Sequence, residues 1–76
     1  MYKNKISLDT PEKAKALCQI LRDVEPETTL SSGRYIVDAK SILGIFTLNL
    51  NKPVTLTIDG YVDDAILNNI KEYEVA

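Results

Sequence analysis

The sequence predicts an α+β fold: an open-faced sandwich with three helices on one face of a four-stranded, mainly antiparallel sheet. Two patterns predict it. Four short stretches alternate apolar and polar residues or are bounded by turn residues, as strands are. The segments between them repeat their apolar residues at helical spacing, so each presents a stripe that needs cover. A sheet with one apolar face can supply that cover.

Tyr2 to Leu8 alternates, with Ile6 and Leu8 on one face and Lys5 and Ser7 on the other, and reads as the first strand. Asp9-Thr10-Pro11-Glu12 then opens a helix. Asp9 or Thr10 can cap it, Pro11 suits its first turn, and Glu12 favours the positive end of the dipole. Ala14, Leu17, Cys18, Leu21 and Val24 form its stripe, and Glu25-Pro26 stops it because the residue before proline disfavours the α region. Glu27 to Ser32 and Arg34 to Ala39 form a hairpin around Ser31-Ser32-Gly33. Ser41 to Leu48 is predicted as a short helix, although Gly44 and the β-branched Ile42 and Ile45 lean toward strand. Asn49 to Pro53 turns into a strand over Val54 to Ile58, closed by Asp59-Gly60. Tyr61 to Tyr73 is the last helix, with Val62, Ile66, Ile70 and Tyr73 on one face and Ala65 beside them. The uncovered face of the sheet should carry Lys5, Ser7, Thr55 and Thr57.

Composition narrows the chemistry. The chain has 76 residues, 45% hydrophobic and 26% charged, which fits one globular domain spanning 1–76 rather than a disordered or fibrous chain. It contains no histidine, so no imidazole can act in it. A net charge of −2 argues against direct nucleic-acid binding, whose affinity rests on neutralising phosphates. Cys18 is the only cysteine, which rules out an internal disulfide and fits a reducing compartment. The opening Met-Tyr-Lys-Asn-Lys leads into alternation rather than an apolar run, so neither signal peptide nor membrane span is expected, and the location expected is cytoplasmic. There is no Gly-rich phosphate loop and no cluster of metal ligands. Glu25, Glu27, Asp63 and Asp64 are dispersed as solvated charges usually are. No cofactor, metal or enzymatic activity is expected.

The element order, taken with Val37-Asp38-Ala39-Lys40-Ser41-Ile42-Leu43-Gly44-Ile45-Phe46-Thr47-Leu48, resembles the HPr family of phosphocarrier proteins of the bacterial sugar phosphotransferase system. That family carries its phosphoryl group on a histidine that caps the first helix, with an arginine two residues on and then a proline. Matching Leu17 and Gln19 to their family counterparts puts Thr10 at the histidine, Glu12 at the arginine and Lys13 at the proline. A threonine hydroxyl offers no imidazole nitrogen, and a carboxylate repels the phosphate that an arginine attracts. The resemblance therefore implies that phosphate relay at this position is lost.

The family's second site is kept as Ser41. In Gram-positive HPr proteins, and in the histidine-lacking relative Crh, this serine is phosphorylated by HPr kinase. The product is a corepressor for a LacI-type regulator in carbon catabolite repression. The resemblance thus implies a regulatory phosphorylation site at Ser41 with Lys40 as a charge partner. It also implies a partner-binding surface of Lys40, Ile42, Leu43 and Phe46. The residues alone leave two readings of Ser41 open, a plain helix cap and a switch. Thr10 reads as a cap and Cys18 as a buried small hydrophobe. Two rivals remain: a carrier using Thr10 or Cys18 as a substitute nucleophile, and a binding domain that keeps only the fold.

Overall fold

The computed structural model describes residues 1–75. In chain order it has β1 (Tyr2–Ile6), α1 (Pro11–Leu21), β2 (Glu27–Ser32), β3 (Tyr35–Asp38), α2 (Ile42–Ile45), β4 (Val54–Asp59) and α3 (Asp64–Ile70), with a 3-10 turn over Lys71–Tyr73. The strands form one sheet in the order β1-β4-β2-β3, and every neighbouring pair is antiparallel.

Register explains which side chains meet the helices. Ile6 lies opposite Val54, while Leu56 lies between Asn4 and Leu30, and Leu30 lies opposite Val37. Partners in a ladder share a face, so these rows make the inner face. Ile6, Leu30, Val54, Leu56 and Ile58 are all buried there, against Leu17 and Leu21 of α1, Ile45 of α2 and Ile70 of α3. Burying one such side chain contributes roughly 1.5–3 kcal/mol, more than the ~1 kcal/mol of a typical cap. Packing therefore decides where α1 sits, and its cap decides where it begins. Thr28, the buried polar residue of the core, is satisfied by donating to the Pro26 carbonyl at 3.0 Å. The opposite face carries Lys5, Thr55 and Thr57 as the alternation predicts.

Ser7 falls outside β1. Its N–H donates to the Tyr73 carbonyl at 2.8 Å, and the Val75 N–H donates to the Lys5 carbonyl at 3.2 Å. Residues 73–75 thus lie along the outer edge of β1, pinned also by the Tyr2 hydroxyl, which donates to Glu74 Oε2 at 2.6 Å. Partial burial, with the Glu74 carboxylate beside it, raises the Tyr2 pKa well above its ordinary value.

β1 stops at Ile6, β3 spans Tyr35–Asp38 and β4 runs to Asp59, each within two residues of expectation, and four further boundaries differ. The first helix stops at Leu21 rather than near Glu25: the Val24 N–H turns back to the Leu21 carbonyl at 3.1 Å, so Val24 enters the core from a loop. The hairpin turns at Gly33-Arg34, one residue later than Ser31-Ser32-Gly33, because Gly33 supplies a φ of 58° at the first turn position. There Gly is the residue that adopts it freely. The segment Ser41 to Leu48 is helical only over Ile42–Ile45; beyond it both the Thr47 N–H and the Thr47 hydroxyl close onto the Gly44 carbonyl. The last helix begins at Asp64, not Tyr61, capped by Asp63, whose Oδ1 accepts from the Ala65 N–H at 2.7 Å. Ala65 is consequently exposed, whereas Ile70 and Tyr73 are buried as predicted. Among the described residues no helix is long and apolar enough to cross a membrane.

Candidate functional site

Two helix starts carry the residues that the sequence singles out. At the start of α1, Thr10 is extended (φ −131°, ψ 152°) and its Oγ1 accepts from the Lys13 N–H at 3.2 Å. Thr10, not Asp9, is therefore the cap. The Asp9 carboxylate instead pairs with the Lys13 ammonium at 2.8 Å across exposed surface. Lys13 holds the Asp9 carboxyl below its ordinary range, and Asp9 raises the Lys13 pKa in return. Glu12 is exposed next to them. This start thus presents a hydroxyl engaged as a cap, an ion pair and a free carboxylate.

At the start of α2, Ser41 is likewise extended (φ −100°, ψ 106°), and its Oγ accepts from the Gly44 N–H at 3.2 Å. The hydroxyl belongs to an exposed residue. Gly44 lets this turn lie close on β3. A Cβ there would stand 3.3 Å from Ser41 Oγ, a tight contact, and 3.4 Å from Val37 Cβ. The four apolar residues of this segment divide by depth. Ile45 is fully buried and Ile42 packs partly into the core, while Leu43 is 79% and Phe46 43% exposed. The outward apolar surface is thus Leu43 and Phe46. Ile42, expected with them, instead packs partly against the core.

The loop before Ser41 is tied on several sides. The Ser41 N–H donates to the Asp38 carbonyl at 3.0 Å, and the Lys40 N–H donates to Asp38 Oδ1 at 2.9 Å. From α1, the Cys18 thiol donates to the Lys40 carbonyl at 3.2 Å. The Lys40 ammonium reaches to the Val24 carbonyl beyond the end of α1. Lys40 is thus a strut between the end of α1 and the start of α2. Sequence reasoning had no signal for this, since Val24 and Lys40 meet only in the fold. Cys18 is half-buried instead of wholly buried, for the same reason: its sulfur lies at the seam with the Ser41 loop.

Thr10 and Ser41 therefore occupy equivalent cap positions on different helices, and only Ser41 has apolar neighbours facing outward. Among the described residues there is no group of His, Cys, Asp or Glu that could hold a metal ion. Sequence reasoning also passed over Tyr35 and Ile36 of β3, which are 73% and 69% exposed. The strand alternation that places Val37 inward could have found Ile36.

Neither a family model nor a curated protein sequence matches this chain. Solved structures do match it. HPr-C-His from Thermoanaerobacter tengcongensis superposes with a TM-score of 0.72 at 21% identity, over 95% of this chain and 89% of that one. A phosphocarrier protein HPr from Bacillus anthracis str. Ames superposes with a TM-score of 0.67 at 22% identity, over 97% and 94%. The chain has the HPr fold, as the element order and the Lys40 to Leu48 segment predict.

Proposed function

We propose that this chain is a cytoplasmic HPr-like interaction module of the phosphotransferase network, acting through the start of α2 and switched by phosphorylation of Ser41. The observation that carries this reading is an exposed Ser41 hydroxyl bordered by outward-facing Leu43 and Phe46. An exposed aromatic–aliphatic patch is a common mark of a protein contact. Phosphorylation would set about −1.5 to −2 charges at the rim of that patch. A partner for the modified form then needs an arginine or lysine beside its apolar contact, which an apolar-only partner lacks. Lys40, whose ammonium donates to the Val24 carbonyl, adjoins Ser41 in sequence and keeps its positive charge there. The partners proposed are HPr kinase and a LacI-type regulator.

In the proposed step, the γ-phosphoryl group of ATP moves to Ser41 Oγ, ADP leaves, and the hydroxyl proton passes to a base of the kinase. At the start of α1, Glu12 stands two residues after Thr10, where a carrier site needs a cation for its phosphate. That favours regulation over relay. Incubation with a Gram-positive HPr kinase and ATP, followed by intact-mass measurement, tests the reading. The expected result is the gain of one phosphoryl group, absent in Ser41→Ala. No gain, with authentic HPr modified in parallel, overturns it.

A further inference from the structure

The sheet has two edges, and they are treated differently. The outer edge of β1 is occupied by residues 73–75 through the Ser7–Tyr73 and Lys5–Val75 hydrogen bonds. Among the described residues β3 pairs only with β2, and no strand pairs with its other edge. Exposed edges are usually blunted by shortness, charge, proline or a bulge, and β3 has only its four-residue length and Asp38. Tyr35-Ile36-Val37-Asp38 has no lysine or proline, its register with β2 is uninterrupted, and Tyr35 and Ile36 are largely exposed.

We propose that β3 is a self-complementary edge through which two copies of this chain join their sheets, pairing antiparallel about a two-fold axis at Ile36. Backbone parity supports this register. The Ala39 N–H donates to the Thr28 carbonyl at 3.0 Å, and bonded positions alternate along an antiparallel ladder. Tyr35 and Val37 therefore direct their N–H and C=O groups to β2, while Ile36 directs its own to the open edge. Across the two-fold axis, the two Ile36 residues exchange both hydrogen bonds.

The side chains choose the same register. Ile36 and Asp38 share one face of the strand, Arg34 sits in the turn just before it, and all three are exposed. Centred on Ile36, the pairing places Arg34 opposite the partner's Asp38, twice by symmetry, on either side of an Ile36–Ile36 contact. On the other face Tyr35 meets the partner's Val37, an aromatic against a β-branched residue, which is a favourable cross-strand pair. The neighbouring registers of the same parity set Ile36 against Asp38 or Arg34, an apolar side chain against a charge. Arg34 has no ion-pair partner within the chain among the described residues. A single short strand pair buries little area, so the dimer expected is weak and concentration-dependent.

Sedimentation equilibrium from micromolar to millimolar protein tests this. The wild type should pass from monomer to dimer. Arg34→Glu and Asp38→Lys should each raise the midpoint at least roughly tenfold, by setting like charges against each other at both ends. Mixed in equal amounts, the two variants should dimerise near the wild-type midpoint, because each altered charge then meets its opposite. A wild type monomeric at millimolar concentration overturns the proposal, as do single variants that dimerise unchanged or a mixture that stays monomeric. Asp38 also holds the Lys40 amide, so a second readout avoids substitution altogether. The Ile36 amide of the wild type should gain protection from hydrogen exchange as concentration rises. Dimers without that gain contradict the pairing.

Discussion

The starts of α1 and α2 are built on the same hydrogen bond and differ in everything around it. In each, a side-chain hydroxyl in extended backbone accepts from the third helical N–H at 3.2 Å. Around Thr10 lie Asp9, Glu12 and Lys13, with two of those charges consumed by one ion pair. Around Ser41 lie Leu43 and Phe46, with the ammonium of the adjoining Lys40 donating to the Val24 carbonyl. A cap is a local device that the backbone requires at any helix start; what the neighbouring side chains present decides whether it can also be a site. By that measure the second start is equipped for a partner and the first is not.

Leucine substitutions give the largest contrast. Leu17 of α1 is fully buried and Leu43 of α2 is 79% exposed. Leu17→Ala should cost about 2–5 kcal/mol in denaturant unfolding, while Leu43→Ala should stay within about 0.5 kcal/mol and weaken partner binding instead. Comparable losses of stability would show that Leu43 serves the core. The caps come next. Thr10→Ala and Ser41→Ala should each cost about 0.5–2 kcal/mol, since each removes the same bond. Only Ser41→Ala should abolish modification.

Lys40→Met keeps the aliphatic stem and removes the hydrogen bond to Val24. A loss of about 0.5–1.5 kcal/mol is expected, together with faster amide exchange at Ser41 and Gly44. Unchanged exchange would mean that Lys40 does not brace the loop. The smallest effect concerns Asp9. Its carboxyl is held below the ordinary 3.8 by Lys13, so its contribution is present above that pH and fades as pH falls below it. Asp9→Asn should flatten the acid limb of the stability profile slightly, and salt should mimic the substitution because the pair is exposed.

The sandwich was legible because its evidence is local. Alternation in Val54 to Ile58 and the stripe through Leu17 and Leu21 are written in short windows, and both elements pack as the pattern requires. The turn over Thr10-Pro11-Glu12 was equally plain, down to the proline. Helix lengths were less so. Pro26 marks where α1 could not continue, but the chain leaves the helix after Leu21, and Val24 remains buried without being helical. In α2, the hydroxyl of Thr47 ends the helix by taking the Gly44 carbonyl, which spacing does not reveal. At the candidate site, a helix start at Ser41 was readable and the first cap was narrowed to Asp9 or Thr10, whereas the exposure of Ser41, the inward turn of Ile42 and the reach of Lys40 were not. Those depend on which loop stands opposite, and that is a property of the assembled fold.

Mapping where phosphate lands tests the contrast most directly. The protein would be exposed in parallel to HPr kinase with ATP and to the phosphotransferase system's first enzyme with phosphoenolpyruvate. Intact mass and fragmentation would then locate any phosphoryl group. One phosphoryl on Ser41 from the kinase and none from phosphoenolpyruvate is the predicted result. Phosphate on Thr10 or Cys18, or a Ser41 left unmodified by a kinase that modifies authentic HPr, would contradict it.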